Sequence, residues 1–240
     1  MARKDTTRPQ LGTIKTQLRQ KIRAGLISAG QKLPSERELS ERFATTRITI
    51  KEVLISLETE GLIYREERRG WFVSAERICY NPLSRTHFHQ MIREQNRIAQ
   101  TELIAVRKER AKSARAGILN ISPSTSIYVI ERVRHIDGRA VLFVENLLKT
   151  TLFKGILEEN LTLSLTKLYQ NKYGYLTQRS QFDVIPTAAP AHVAKALNLA
   201  EGQPVLKICR VNYKQDGELM DADIEYWRPD AVRIRIDSIE

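Results

Sequence analysis

Apolar residues near the start of the chain recur at every fourth position: Ile14, Leu18, Ile22 and Leu26. Cationic and polar residues fill the positions between them, so the spacing predicts an amphipathic first helix. Gly25 and Gly30 then interrupt the pattern. A second helix is predicted to begin at Ser35, because Ser35 and Glu38 have the spacing of a capping box.

The stretch ATTRITIKEV, residues 44–53, fits two structures. Its β-branched residues alternate with polar ones as in a strand, whereas Arg47 and Lys51 have the four-residue spacing of one helix face. An apolar stripe at helical spacing continues beyond the usual length of a strand: Ile50, Val53, Leu54 and Leu57. We therefore predict a helix over residues 46–60, with Thr46 as its N-cap.

The side of this helix that faces away from the apolar stripe holds Arg47, Ile48 and Lys51. A solvated surface is the usual meaning of such a face, and contact with a polyanion is the alternative. Gly61 ends the helix, and the alternating segment LIYREERRGWFV that follows predicts a β-hairpin. Its tip carries two cations and a glycine: Arg68, Arg69 and Gly70. Helices followed by such a hairpin predict a winged helix-turn-helix, whose recognition helix enters the DNA major groove.

Two segments of the C-terminal part show the same order of features: LNISPSTSIYVIERVRHIDGRAVLFVEN and LNLAEGQPVLKICRVNYKQDGELMDADIEY. Each predicts a helix end at Leu-Asn, a strand, an Asp-Gly turn and a return strand, since Asp-Gly between alternating apolar residues signals a hairpin. Two hairpins with helices predict an antiparallel sheet of the α+β class. Residues 76–85 contain an Asn-Pro and no period, so we predict a linker there between domains at 1–75 and 86–240.

The first of these hairpins can be read residue by residue. If Asp137 and Gly138 are its two turn residues, the cross-strand pairs are Ile136 with Arg139, Arg134 with Val141, Arg132 with Phe143, and Ile130 with Glu145. Arg132 and Arg134 then share one face, and Glu145 joins them on it. Two guanidinium groups suit the oxygens of a phosphate or phosphonate, while a carboxylate suits an ammonium or hydroxyl group. A cross-strand ion pair on a solvated face is the alternative interpretation.

Charge and composition narrow the class of protein. The 240 residues include 39 Lys and Arg against 28 Asp and Glu, a net charge of +11, which points to a polyanionic partner such as nucleic acid. No apolar run reaches the roughly 20 residues of a membrane span, and the first ten residues lack a signal-peptide core, so we expect a cytoplasmic protein without a membrane partner. Cys79 and Cys209 fit neither a metal site nor a disulfide framework, and we expect no metal and no cofactor.

The segment GQKLPSERELSERFATTRITIKEVLISLETEGLIYREERRGWFV resembles, nearly position by position, the DNA-binding domain of the GntR family of bacterial transcription factors. The resemblance implies DNA contacts near the start of the second helix, along the recognition helix and at the wing glycine. With the two hairpin-tip arginines, the expected DNA-contacting residues are Arg37, Thr46, Arg47, Thr49, Lys51, Arg68, Arg69 and Gly70. Ile48 and Trp71 depart from the residues usual in the family, which leaves the operator sequence open.

Residues 80–238 resemble the effector-binding UTRA domain of the HutC subgroup of this family, whose fold is similar to chorismate lyase. In that subgroup an R-x-R … E hairpin binds the effector, and here this motif falls on Arg132, Arg134 and Glu145. The resemblance implies further pocket positions at the polar helix start and at the Ser-Leu-Thr segment: Thr86, His87, Ser164 and Thr166.

Short strings such as DGRAV and DIEYWRPD most resemble the regulators of 2-aminoethylphosphonate use within this subgroup. Such an effector carries a phosphonate dianion and an ammonium group, so it needs arginines at one end and a carboxylate at the other. Besides Glu145, we expect Asp221 to be the candidate carboxylate, because Asp223 should face Arg210 in the second hairpin. Tyr226 would contact the ammonium group through a cation–π interaction.

The resemblance implies a repressor that its effector releases from DNA. We expect a homodimer on an inverted-repeat operator, since one recognition helix reads only half of such a site. A sugar phosphate or an amino acid-like metabolite is the alternative effector. Two other classes are weighed: a lyase-like enzyme, for which the four scattered histidines supply no catalytic arrangement, and a constitutive DNA-organising protein, which would not need the arginine hairpin. We expect no enzymatic activity.

Overall fold

The computed structural model describes residues 7–84 and 86–237, which form two compact units. The first unit extends to Arg77 and also takes in Pro229–Val232, while the second holds the other described residues. The break falls within residues 76–85, the segment predicted to be a linker. Within the described residues, no helix is long and apolar enough to cross a lipid bilayer.

The first unit holds three helices and a two-stranded sheet: α1 Thr7–Arg23, α2 Glu36–Arg42, α3 Arg47–Thr59, β1 Ile63–Glu66 and β2 Gly70–Val73. Ser35 and Glu38 form the predicted capping box at the start of α2, and Thr46 is the N-cap of α3. The helix predicted over residues 46–60 is therefore confirmed. The buried stripe of α3 outweighs the strand propensity of its β-branched residues, because packing overrides local preference.

The core of the first unit joins α1 to α3 through residues such as Ile14 and Ile50. The prediction that Leu26 continues the apolar stripe of the first helix is wrong. α1 ends at Arg23, and Leu26 is 74% exposed. Gly25 has a φ of 70°, a left-handed conformation that glycine adopts at the ends of helices.

The remaining elements follow in chain order: β3 Ile78–Tyr80, α4 Phe88–Glu94, β4 Ala99–Arg110, α5 Ser113–Leu119, β5 Ser126–Ile136, β6 Arg139–Lys149, a 3-10 helix Ile156–Glu158, α6 Leu165–Tyr173, β7 Arg179–Ala188, α7 Ala191–Ala196, β8 Pro204–Tyr213, β9 Leu219–Trp227 and β10 Val232–Ile234. β3 pairs with β10. The segment at residues 76–85 therefore contains a short strand, where the sequence predicted only a linker.

Six strands form one antiparallel sheet in the order β4-β5-β6-β9-β8-β7. Each half of this sheet has the same connection, namely β4, α5, β5, β6 in one half and β7, α7, β8, β9 in the other. The sequence repeat is thus a structural repeat, and the two halves meet where β6 pairs with β9. The predicted α+β class is confirmed.

A β-bulge changes the register that the sequence predicted for the first hairpin. The bulge lies between Arg134 and His135 and moves the following pairs by one residue. The observed pairs are Arg134 with Leu142, Arg132 with Val144, Ile130 with Asn146, and Glu131 with Glu145. Because a shift of one residue turns a side chain to the other face, the prediction that Glu145 shares a face with Arg132 and Arg134 is wrong.

Different helices pack on the two faces of the sheet. On one face α5 and α7 pack over strand residues, as Leu119 and Val193 do with Phe143. On the other face α6 contributes Tyr169 to a second apolar cluster that includes Ile130. Arg132 and Arg134 lie on this second face, because they follow Ile130 at every second position along β5.

Candidate functional site

The start of α3 exposes two cations. Arg47 and Lys51 are exposed, and Ile48 between them is 73% exposed. The backbone N–H of Thr49 donates a hydrogen bond of 3.1 Å to Oγ1 of Thr46, which fixes the first turn of the helix. Thr49 is only 2% exposed, so its side chain does not lie on the exposed surface with Arg47 and Lys51 as the DNA-contact prediction requires.

The tip of the β1–β2 hairpin presents one extended cation and one that is held in place. The side chain of Arg68 is 92% exposed, whereas Arg69 forms an ion pair with Glu66 and lies 5.3 Å from the centre of the Phe72 ring. Gly70 has a φ of 103°, so any side chain there would be strained. Glycine at this position therefore allows the backbone conformation with which the hairpin turn ends after Arg68 and Arg69.

Exposed cations therefore stand on α2, on α3 and on the hairpin of the first unit. Nε of Arg37 on α2 lies 3.8 Å from the carboxylate of Glu41, and this exposed pair contributes little to stability. Such cations are available to phosphate groups of a nucleic acid, which meet Lys and Arg side chains and helix N-termini. The surface combines a helix of the right size for the major groove with cations at its start.

The second unit contains a cavity of about 260 Å³ against the face of the sheet that carries the two arginines. α4 and α6 contribute to its walls. Its charged lining residues include four arginines and three carboxylates: Arg132, Arg134, Arg179, Arg210, Asp221, Asp223 and Glu225. The balance of these charges decides what the cavity can hold.

Arg132 is held by neutral acceptors. Its Nε donates a hydrogen bond of 3.0 Å to Oδ1 of Asn146, and its Nη1 donates bonds of 3.2 and 3.1 Å to the carbonyls of Leu161 and Leu163. Burial lowers the pKa of Arg132 to about 9, with the neighbouring Arg134 adding to the effect. The guanidinium therefore fixes the segment before α6 and sits in the cavity wall as a buried cation.

Arg134 is less constrained. Its Cζ lies 4.8 Å from the centre of the Phe88 ring, and its buried Nε has no hydrogen-bond partner. Among the described residues, no carboxylate forms an ion pair with it, and burial lowers its pKa. A guanidinium that forms no ion pair is available to the oxygens of an anion.

The repeat explains why Arg132 has no acidic partner. Arg132 and Arg210 occupy the same position in the two repeats, each in the sequence Ile-x-Arg-Val. The residue across from Arg210 is Asp223, and Nε of Arg210 donates a bond of 2.9 Å to its carboxylate. The residue across from Arg132 is Val144. One half of the sheet thus neutralises its arginine and the other half does not.

Three carboxylates of β9 line the cavity, and two of them are fully engaged. Asp223 accepts bonds from Arg210 and Asn146, as its predicted pairing with Arg210 requires. Glu225 accepts a bond of 2.8 Å from Nε1 of Trp227. In Asp221, Oδ2 accepts a bond of 3.2 Å from Asn212, whereas Oδ1 is buried without a partner.

His87 and Tyr169 also line the cavity, and each has a buried polar atom without a hydrogen-bond partner. Nδ1 of His87 caps α4 by accepting a bond of 3.3 Å from the backbone N–H of Gln90, while its Nε2 is buried without a partner. Burial, followed by the charges of Lys167 and Arg134, lowers the pKa of His87. The hydroxyl of Tyr169 is likewise buried without a partner. Buried polar groups without a hydrogen-bond partner are rare in protein interiors.

Seven of the nine residues assigned to the effector from the sequence line this one cavity: Thr86, His87, Arg132, Arg134, Ser164, Thr166 and Asp221. Glu145 and Tyr226 do not. Glu145 lies on the opposite face of the sheet, 2.9 Å from Nη2 of Arg115, and Tyr226 packs there against Phe143. The bulge after Arg134 is the reason for the displacement of Glu145.

Sequence reasoning missed Tyr169, although its signal was present. Tyr169 follows Thr166 by three residues on α6, the spacing that places two side chains on one face of a helix. Asn146 and Asn212 were also missed, because nothing in their local sequence separates a cavity amide from a surface amide.

Two family models match the chain: that of the bacterial regulatory proteins of the gntR family over residues 11–73, and that of the UTRA domain over residues 94–233. The chain is 30% identical to the HTH-type transcriptional regulator YihL of Escherichia coli (strain K12), over 90% of this chain and 92% of that protein. It is 28% identical to the HTH-type transcriptional repressor NagR of Bacillus subtilis (strain 168), over 90% and 89%. The crystal structure of PhnF from Mycobacterium smegmatis has a similar fold, with a TM-score of 0.66 at 22% identity, covering 94% of this chain and 99% of that one.

Proposed function

The chain belongs to the GntR family of bacterial regulatory proteins and carries a UTRA domain, and we propose that it is a repressor released from DNA by a small phosphorus-containing anion. As a member of this family it is a DNA-binding transcriptional regulator and not an enzyme. The repressor proposal is supported by a relative, NagR of Bacillus subtilis, that is named a transcriptional repressor.

Arg134 carries the proposal for the effector. It supplies a guanidinium whose buried Nε has no hydrogen-bond partner to a cavity that is large enough for a small molecule. Phosphate and phosphonate oxygens accept two parallel bonds from a guanidinium, which makes this pairing strong and directional. Nε2 of His87 and the hydroxyls of Ser164 and Thr166 supply further polar groups in the cavity lining.

The effector class that best matches the whole cavity is an aminoalkylphosphonate such as 2-aminoethylphosphonate. Such a ligand has opposite charges at its two ends, and the cavity has arginines together with carboxylates. Because Glu145 lies on the other face of the sheet, its proposed role in holding the ammonium group passes to the carboxylates of β9. Resemblance of short strings to regulators of 2-aminoethylphosphonate use supports the same class.

On the DNA side we propose a homodimer that binds an inverted repeat, each protomer reading one half-site through the start of α3. Arg47 and Lys51 are the side chains proposed to reach base edges or phosphates, and Arg68 is proposed to contact the backbone from the hairpin. Arg37 would contact a phosphate near the start of α2.

Release from DNA requires that the effector bind the DNA-incompetent state more tightly, since a ligand with equal affinity for both states shifts nothing. Tyr80 and Pro82 line the cavity and follow soon after Arg77, where the first unit ends. We propose that these residues connect occupancy of the cavity to the DNA-binding unit.

The test uses fluorescence anisotropy with a labelled operator selected by the protein from random-sequence DNA. We expect 2-aminoethylphosphonate or ethylphosphonate to release the DNA. Glucose 6-phosphate is added in a separate titration to test the sugar phosphate alternative. Arg134→Met should keep DNA affinity within about twofold and lose the response, because it removes one cavity cation and no DNA contact.

The matched control is Arg110→Met, an arginine of the same sheet that does not line the cavity. This variant should respond as the wild type does. The proposed effector class is refuted if no phosphorus compound changes DNA affinity, or if Arg134→Met responds normally.

A further inference from the structure

The start of α3 exposes an apolar side chain that the proposed function does not use. Ile48 lies in the first turn of this helix and is 73% exposed, against 45% for Ile55 further along it. Single exposed apolar residues are common on protein surfaces and carry no meaning by themselves. The position of Ile48 on the helix and the side chains beside it therefore decide what it can contact.

Ile48 points away from the core of the first unit. Five residues form the buried side of α3: Thr49, Ile50, Val53, Leu54 and Leu57. Successive residues of a helix are turned by about 100°, so Ile48 falls opposite the middle of this buried stripe, and Ile55 falls on the same line about two turns later. The side chain of Ile48 is therefore presented to whatever molecule the helix meets.

The first turn of α3 is also the part of the helix that reads DNA, since a recognition helix contacts base edges through its N-terminal residues. Thr49 and Ile50 in this turn are buried, with exposures of 2% and 0%. Arg47, Ile48 and Lys51 are the exposed residues beside them. Of these three, Ile48 is the one that offers an apolar contact.

An apolar contact in the major groove has a specific partner among the bases. The C5-methyl group of thymine is the apolar group on the major-groove edges of the base pairs, and the other groups there are hydrogen-bond donors and acceptors. An isoleucine placed over a polar edge would displace water from it without supplying a hydrogen bond. Against a thymine methyl group, both apolar surfaces leave water and binding gains.

We propose that Ile48 is a specificity-determining residue that contacts the 5-methyl group of a thymine in each half-site of the operator. This inference rests on the proposed reading of a half-site by the start of α3 and adds the identity of one base. The charges around Ile48 support DNA as the molecule that covers it. Arg47 and Lys51 lie on one side of it and the exposed Glu52 on the other, so the surface keeps a net positive charge.

The local structure holds Ile48 in a fixed place. Oγ1 of Thr46 accepts a hydrogen bond of 3.1 Å from the backbone N–H of Thr49 and lies 3.0 Å from the hydroxyl of the same residue, which secures the turn that carries Ile48. Isoleucine is β-branched, and one χ1 rotamer dominates in a helix. Little conformational entropy is lost when such a side chain is buried against a base, so the contact keeps most of its favourable free energy.

The experiment replaces thymine by deoxyuridine in the operator that the wild type selects from random-sequence DNA. Deoxyuridine lacks the 5-methyl group and keeps the hydrogen-bonding groups of thymine. Each thymine position is changed in turn, in both half-sites together, and the affinity of the full-length protein is measured by fluorescence anisotropy. At one position, or at two neighbouring ones, the wild type should lose about threefold to fivefold in affinity per half-site, the factor for one methyl-sized apolar group.

Ile48→Ala is the test variant. It should discriminate less than about 1.5-fold between thymine and uracil at the same position, because the variant and the base change remove the two sides of one contact. Its melting temperature should equal or exceed that of the wild type, since the side chain is mostly exposed and alanine is the better helix former. Ile55→Ala is the matched control, a residue of the same type on the same side of α3 but away from its start, and it should discriminate as the wild type does.

The inference is overturned if the selected half-site contains no thymine, if uracil at every position leaves wild-type affinity unchanged, or if uracil weakens Ile48→Ala as much as the wild type. Each of these results leaves the proposed repressor function intact. Arg47→Ala distinguishes a deeper failure: if this variant binds the operator as tightly and as selectively as the wild type, the start of α3 does not read the half-site, and the thymine contact falls with that assignment.

Discussion

Replacing Arg132 and Arg134 in turn by Met separates a structural arginine from a ligand-binding one. Arg132→Met removes three hydrogen bonds and leaves the Asn146 side chain and two loop carbonyls without their donor. Each unsatisfied buried group costs about 1–3 kcal/mol, and loss of the buried cation offsets part of this. The net loss of stability should be about 2–4 kcal/mol, or a melting temperature lower by about 5–15 °C.

Arg134→Met should behave in the opposite way. It forfeits a cation–π contact with Phe88 worth about 1 kcal/mol, and it relieves the cost of burying an unpaired charge. We expect its melting temperature to stay within about 3 °C of the wild type while the response to effector is lost.

Thermal unfolding by circular dichroism and operator anisotropy, measured on the same samples, check the pair. The reasoning fails if Arg132→Met melts with the wild type, because the hydrogen bonds to the loop would then hold nothing. It fails equally if Arg134→Met is the less stable of the two.

The remaining predictions concern the first unit. Arg47→Ala should weaken specific operator binding by about 1–3 kcal/mol if it pairs with a base edge, whereas Arg68→Ala should weaken operator and random DNA alike and flatten the salt dependence, both measured by anisotropy. Hydrogen bonds from Arg19 and Lys15 lower the pKa of Glu60 to about 2. This stabilisation is present above the ordinary glutamate pKa and is lost as pH falls towards 2, so Glu60→Gln should cost about 1 kcal/mol at pH 7 and almost nothing near pH 2 in thermal melts.

Much of the fold was predictable because its signals are local. The capping box at Ser35 and the N-cap at Thr46 are set by residues within one helical turn, and both predictions are confirmed. The Asp-Gly turns located both hairpins of the sheet, and the repeat between them revealed its two-part construction. Burial of Thr49 was not predictable in the same way, since it depends on how α3 packs and not on the helix alone.

Which residues share a face with Arg132 and Arg134 in the candidate site depends on the register of the hairpin, and the sequence predicted that register incorrectly. The sequence contains nothing that marks a bulge between Arg134 and His135, because the bulge inserts a residue without requiring glycine or proline there. That one residue moves Glu145 to the other side of the sheet, where Arg115 satisfies it.

Comparison of the two repeats shows which of their two equivalent arginines, Arg132 and Arg210, lacks a carboxylate partner. Both repeats place an arginine at the same position, and the second supplies Asp223 across the strand where the first supplies Val144. Asp223 neutralises Arg210, whereas Arg132 is held by the neutral acceptors Asn146, Leu161 and Leu163 and keeps an uncompensated charge. An uncompensated positive charge on β5 and a carboxyl oxygen of Asp221 without a partner on β9 are what the proposed effector site requires of this cavity, and both follow from residues that differ between the two repeats or strands rather than from the shared fold.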